Sequence, residues 1–348
     1  MASLTELLGI ELPLIQAPMA GVQLSALAAA ICNAGALGSL PCALLAPETM
    51  RVELATLAER TRNPYNVNFF CHETPASDTR REASWRASLA PYYAELGIDA
   101  AHVPAAAVRR PFDEAALELL RAARPAVVSF HFGLPASELL AGVRALGSKV
   151  LASATTLEEA LWLEGRGVDA IIAQGVEAGG HRGHFLTRDL TAQLGTFTLV
   201  PQIVRRVSVP VIAAGGIADR AGITAALALG ASAVQLGTAF LLCPEATTSA
   251  VHRAALQSDA SRHTALTNLF TGRPARGIVN RLMRECGPLA VDVPDFPLAA
   301  SAVGPLRAAA EARGSGDFSP LWAGQNVTGC RCVPAAQLLR ELTLPGGA

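Results

Sequence analysis

Eight short apolar runs, each followed by a stretch of helical spacing, recur through the first two thirds of this chain, and they restrict its fold more than any other feature. The runs are residues 14–19, 36–40, 66–70, 126–132, 149–153, 170–174, 210–215 and 233–237. Helical patterns follow at 25–33 and 47–60, and near 81–96 and 113–122 in a longer segment after the third run. After the fifth run, Thr155 or Thr156 precedes Glu158 and Glu159, the order of a helix cap followed by an acidic first turn. Near-continuous apolar strands alternating with helices read as a parallel sheet covered on both faces. Eight such units over about 240 residues fit an α/β chain folded as a (β/α)8 TIM barrel. A doubly wound open sheet is the alternative.

The rhythm stops near Cys243. Residues 1–245 are therefore read as the barrel. Residues 246–348 are read as an additional, mostly helical region that packs beside or over the barrel mouth and includes the closing helix. Pro and Gly cluster there around 272–277, 288–297 and 314–320.

A formal net charge of -1 argues against nucleic acid as a partner. Lys149 is the only lysine, so a phosphate site would rely on backbone N–H groups or arginine. Seven scattered cysteines without a CxxC pair indicate neither a zinc site nor a disulfide framework, as expected for reduced thiols in a cytoplasmic protein. No charge occurs between Glu11 and Glu48, but Gln16, Gln23, Asn33, Pro41 and several glycines break that stretch. It reads as strand and helix rather than as a membrane span of about 20 apolar residues. The N-terminus has no basic segment of the signal-peptide kind.

Three constellations carry chemistry. The seventh and eighth runs end in Ala214-Gly215-Gly216 and in Gln235-Leu236-Gly237-Thr238. In a barrel these two loops are neighbours at the C-terminal face, where backbone N–H groups and the positive end of a helix beginning near Asp219 suit a phosphate. Second, Gln16 and Met19, Asn68, His131 and Gln174 lie on otherwise apolar strands. Buried amides need partners. A flat heterocycle with amide edges would provide them, and so would an internal hydrogen-bond network. Third, residues 175–185, GVEAGGHRGHF, place two histidines in a glycine-rich loop after the sixth strand. Glu177, His181 and His184 do not make a metal site, because Gly179 and Gly180 oppose the helix that would align them and no HExxH pattern exists. His181 follows the glycine pair directly and is the candidate acid/base or anion-orienting residue, ahead of His184. His72, His102, His252 and His263 are read as structural or solvated, with His72 a candidate for the mouth. No GxSxG or Walker loop is present.

Together these segments resemble the class I nitronate monooxygenase family, formerly called 2-nitropropane dioxygenases. The matching segments are residues 13–21 (PLIQAPMAG), 66–70 (NVNFF), 128–133 (VSFHFG), 174–183 (QGVEAGGHRG), 214–217 (AGGI), 235–240 (QLGTAF) and 272–276 (GRPAR), in the family's order. The resemblance implies an FMN-containing barrel that oxidises alkyl nitronates with O2 to a carbonyl compound and nitrite. It leaves open whether neutral nitroalkanes are also substrates. It places Ala17, Pro18 and Met19 against the isoalloxazine, and Asn68 and Gln174 at its polar edge or the ribityl chain. Gly179 and Gly180 would flank the flavin. Ala214, Gly215, Gly216, Gln235, Leu236, Gly237 and Thr238 would hold the phosphate. His181 would meet the substrate, with His131 as a second substrate-side residue. A monomer or homodimer, with no metal, nucleic acid or membrane partner, is expected. Two alternatives remain: a flavin-dependent NAD(P)H reductase of the enoyl-ACP or quinone type, and a non-catalytic FMN-binding barrel.

Overall fold

The computed structural model describes residues 3–103 and 109–343. In chain order the strands are β1 (Leu14–Gln16), β2 (Gly38–Pro41), β3 (Tyr65–Phe70), β4 (Val127–His131), β5 (Lys149–Ala154), β6 (Ala170–Gln174), β7 (Gly180–His181), β8 (Val211–Ala214), β9 (Ala233–Leu236), β10 (Thr264–Thr267) and β11 (Ala275–Ile278). Eight of them form one parallel sheet in the order β1-β9-β8-β6-β5-β4-β3-β2. The ring closes where Gln16 N donates to Leu37 O at 2.9 Å and Leu37 N to Leu14 O at 3.0 Å. All eight apolar runs became barrel strands. The first is shorter than its run because the chain leaves the sheet at Ala17-Pro18, where proline has no N–H to give. The fourth ends at His131 because Phe132 and Gly133 take positive φ angles of 71° and 87° and turn the chain.

The helices are α1 (Leu4–Leu8), α2 (Ser25–Cys32), α3 (Pro47–Arg60), α4 (Thr79–Leu96), α5 (Glu114–Ala123), α6 (Ser137–Ala145), α7 (Leu157–Glu164), α8 (Thr196–Val204), α9 (Arg220–Ala228), α10 (Ala250–Leu256), α11 (Arg281–Cys286), α12 (Ala300–Ala312) and α13 (Ala335–Thr343). The ring around the barrel is α2, α3, α5, α6, α7, α8, α9 and finally α13, which packs between α9 and α2. Helix α1 is set by a capping box, in which Ser3 Oγ accepts from Glu6 N while Ser3 N donates to the Glu6 carboxylate. It pushes Leu4 and Leu8 against Ile15, Leu37 and Ile172 and plugs the barrel floor. Each such leucine contributes about 1.5–3 kcal/mol by leaving water.

Two features place the site. Helix α4 lies against α12, with Trp85, Leu89 and Tyr93 packed among Ala302, Val303 and Leu306 in an apolar cluster separate from the barrel. Beside it, β10, β11 and β7 form a three-stranded antiparallel sheet, with Ala275 opposite His181 and Arg276 opposite Gly180. A two-residue strand such as β7 leaves no apolar periodicity, so this sheet could not be read from pattern. It ties the Gly/His loop to the C-terminal region.

Candidate active site

The C-terminal ends of the barrel strands surround a cavity of about 350 Å3. Ala17, Pro18, Met19, Asn68, His131, Gln174, Gly179, Gly180, His181, Ala214, Gly215, Gly216, Gln235, Gly237 and Thr238 all line it. Leu236 is the exception: its side chain is buried in the layer between strands and helices. His184 is also buried and lies outside the lining.

The glycine turns after β8 and β9 form an open cradle of backbone at the mouth. Gly215 and Gly216 have φ angles of 114° and 72°, a region closed to most side chains. A Cβ on Gly215 would stand 3.0 Å from both Ala178 N and Thr196 Oγ1. Helix α9 starts just beyond, capped by Asp219, which accepts from Gly222 N at 2.8 Å. The far wall comes from residues 324–330, which sequence reasoning did not connect with this site. Gly324 N donates to Thr238 Oγ1 at 2.9 Å, Asn326 Nδ2 to Gly216 O at 3.2 Å and Cys330 Sγ to Thr238 O at 2.9 Å. Beside the cradle, Gln235 Oε1 is buried without a hydrogen-bond partner among the described residues.

The polar strand residues divide into two groups. Gln16 is fully buried and joined to Gln23 and Ser39, an internal network rather than a ligand site. Asn68 donates Nδ2 to Ser129 Oγ at 2.9 Å while still facing the cavity. Gln174 holds the Gly/His loop with both ends of its amide: Nε2 donates to His181 O at 3.0 Å, and Oε1 accepts from Gly183 N at 2.8 Å.

That loop is pinned at three further points. Arg182, fully buried, donates to Gly175 O at 2.6 Å, Gln174 O at 2.8 Å and Gln193 Oε1 at 3.0 Å. Glu159, also fully buried, accepts from Phe185 N and from Thr155. Glu177 accepts from Thr196 N and Oγ1, each at 2.9 Å, at the start of α8. A lone cation inside a glycine-rich loop was the only sequence signal for Arg182.

His181 stands at the centre of the mouth. Its Nε2 lies 2.9 Å from Thr271 Oγ1. Its ring is surrounded by Phe70, Phe132, Phe296 and Trp322 at centroid distances of 6.1, 6.0, 5.3 and 5.6 Å. Burial, and then the charge of Arg109, hold its pKa well below the ordinary imidazole value, so the ring is neutral near pH 7. His131 supports it from below. Its Nε2 lies 3.2 Å from His181 O and its Nδ1 3.0 Å from Ser153 Oγ. A carbonyl only accepts, so His131 carries its proton on Nε2 and Nδ1 accepts from the serine. Burial pushes its pKa down to about 3. With both nitrogens engaged, His131 holds the loop, and its side chain also lines the cavity on the side where a substrate contact is expected. Among the remaining histidines, His252 lines the cavity and His72 lies buried beside it, whereas His263 is exposed; the side chain of His102 lies outside the described residues. Among the described residues no group of three His, Cys, Asp or Glu side chains is arranged to hold a metal ion.

The fold and this site define a (β/α)8 enzyme whose mouth joins a cradle of glycine turns to a buried, neutral histidine. The chain belongs to the nitronate monooxygenase family, whose members are flavin-dependent; the family's model matches residues 2–345. It is 46% identical over 344 residues to the nitronate monooxygenase of Pseudomonas aeruginosa, with 97% of each chain covered. The structure of a nitroalkane oxidase from Streptomyces ansochromogenes superposes with a TM-score of 0.88 at 39% identity, covering 98% of this chain and 96% of that one. FabK from Thermotoga maritima superposes at 0.71 with 26% identity, covering 98% and 95%. Among the described residues no helix is long and apolar enough to cross a membrane.

Proposed function

We propose that the mouth cavity binds FMN and that the enzyme oxidises an alkyl nitronate with O2 to a carbonyl compound and nitrite. The observation that carries the FMN reading is the glycine cradle at β8 and β9 with the unpartnered Gln235 Oε1 beside it. The cradle suits the phosphate: Gly215, Gly216, Gly237 and Thr238 offer backbone N–H groups and a hydroxyl. Gln235 and Asn68 suit the polar edge of the ring or the ribityl chain, and Ala17, Pro18 and Met19 its apolar face. Gly179 and Gly180 allow close approach from the other side. When bound, FMN supplies the redox chemistry, and the chain supplies geometry and electrostatics.

His181 is the residue that meets the substrate. The Thr271 hydroxyl has Arg273 O within 3.4 Å as an acceptor, so Oγ1 can take the Nε2 proton of His181 and leave Nδ1 as a lone pair. Such an imidazole is neutral and weakly basic. It has little power to deprotonate a neutral nitroalkane and none is needed for a nitronate, which is already ionised. A buried imidazole of lowered basicity therefore favours nitronate over nitroalkane. Seven free cysteines support a reducing, cytoplasmic setting.

The test is the absorption spectrum of the purified protein, followed by anaerobic mixing with propionate 3-nitronate. A flavin spectrum that bleaches with nitronate supports the reading. Rapid bleaching by NADH instead, with no response to nitronate, would replace it with the reductase.

A further inference from the structure

Among the described residues, one positive charge that lines the cavity has no ion-pair partner, that of Arg109. Two arginines and one carboxylate line it: Arg109, Arg307 and Glu311. Arg307 Nε donates to Glu311 Oε1 at 2.7 Å, and that carboxylate also takes Ser319 Oγ at 2.7 Å. Arg109 has neither an ion pair nor a guanidinium hydrogen bond among the described residues. Its contacts are the Phe296 ring, 5.4 Å from Cζ to centroid, and a backbone anchor, His72 Nε2 at 3.1 Å from Arg109 O. A partly buried guanidinium without a counter-charge is costly unless a ligand provides one.

The FMN phosphate does not provide it. His72 lies two residues past the end of β3 and holds Arg109 over that strand. In the ring order, β3 and β8 are four strands apart in either direction, so Arg109 stands across the mouth from the cradle. Arg109 and His181 instead flank the same ring, Phe296, whose centroid is 5.3 Å from that of His181. Resting on the reading that the substrate is a nitronate, we infer that Arg109 is the anion-binding residue of the substrate pocket, taking a planar oxyanion beside His181. A guanidinium matches two coplanar oxygens with parallel N–H donors, the geometry of a nitronate head or of a carboxylate carried on the same molecule. His181 is neutral, so the charge that recognises the anion comes from Arg109 and not from imidazolium.

The experiment uses FMN-loaded wild type, Arg109→Gln and Arg109→Lys, with flavin content and thermal midpoint confirming that each variant folds. Ethyl nitronate, propionate 3-nitronate and inorganic nitrate, the last read by flavin absorbance, serve as probes. Losing a charge-assisted pair predicts a rise of about 10- to 100-fold in nitronate KM and nitrate Kd for Arg109→Gln, with kcat changing less and Arg109→Lys recovering part. A loss with both nitronates assigns Arg109 to the nitronate head, and a loss with propionate 3-nitronate alone assigns it to the carboxylate. A folded Arg109→Gln with unchanged KM and nitrate affinity, or with only a shifted flavin reduction potential, overturns the inference. Wild type that holds FMN and binds nitrate but oxidises no nitronate overturns the functional reading and leaves the anion site standing.

Discussion

His131 donates its Nε2 proton to the carbonyl oxygen of His181 at 3.2 Å. A second donor, Gln174 Nε2, reaches the same oxygen at 3.0 Å. His181, the residue proposed to meet the substrate, is thus aimed through its backbone by two side chains, one at the end of β4 and one at the end of β6. His131→Ala should lower kcat/KM about 5- to 100-fold, the range for losing one or both ends of a buried hydrogen bond, while FMN stays bound. His131→Gln can replace the donor and should restore part of the activity. Equal damage in both variants would show that His131 matters only for packing.

His181→Asn should retain FMN, because no cradle contact involves this side chain, yet depress turnover about 100-fold or more. In wild type, kcat/KM with a nitronate should exceed that with the parent nitroalkane, because the imidazole is held neutral and weakly basic by burial. Steady-state assays with matched pairs of substrates check both statements. Equal efficiency with the two forms would contradict the weak-base argument.

Gln235→Met removes the unpartnered Oε1. A buried polar atom without a partner costs about 1–3 kcal/mol, so the flavin-free variant should melt at a higher temperature than flavin-free wild type. Its FMN affinity should fall by about tenfold or more. Calorimetry of the stripped proteins and fluorescence titration with FMN separate the two effects. A rise in stability with unchanged affinity would place the flavin elsewhere.

Gly179 packs against the C-terminal wall of the cradle. A Cβ there would lie 2.6 Å from Ala323 C and Gly324 N, which are backbone atoms that cannot rotate aside. Gly179→Ala should destabilise the protein by about 1–3 kcal/mol and loosen the 324–330 segment. Increased hydrogen exchange at Gly324, whose N–H bonds Thr238, would report it.

Stability should fall with acid from about pH 6.5 downward. Burial holds His131 and His184 at about 3 and His252 at about 4 in the folded protein. In the unfolded chain these groups take up protons near pH 6.5, so below that pH the unfolded state binds more protons and is favoured. Each group contributes a slope of up to about 1.4 kcal/mol per pH unit between its folded pKa and 6.5, its stabilisation being fully present above 6.5 and lost as the pH falls to the folded value. Urea unfolding at pH 7.5, 6.0 and 5.0 measures the slope, and His184→Gln should reduce it. A midpoint independent of pH over this range would contradict the assignment of neutral buried imidazoles.

Much of the fold was legible because strand and helix periodicities are local. Leu14, Ile171 and Val234 lie in runs whose spacing alone marks them as buried, and Thr156 marks the start of α7 by its position before two glutamates. The cradle was legible for the same reason, since Gly215 and Gly216 stand next to the strand that carries them. Arg109 and Thr271 gave no comparable signal. Each is one polar residue among many, and only the folded chain brings them to a histidine far away in sequence.

The order of βα units, the glycine pairs and the placement of His181 after Gly180 are properties of the sequence by itself, because backbone conformation and hydrophobic periodicity depend on near neighbours. Tertiary structure decided which polar groups remain free. Gln16, Gln174 and His131 looked alike as polar residues on strands, but the first two are bound up in protein hydrogen bonds, and His131 holds Ser153 and the loop. Among the described residues, Gln235 Oε1 is left without a hydrogen-bond partner, and the Arg109 guanidinium meets the Phe296 ring but no counter-charge. Whether a polar atom is satisfied depends on what lies within about 3 Å of it in space, and the barrel and its C-terminal cap set that only once the chain has closed.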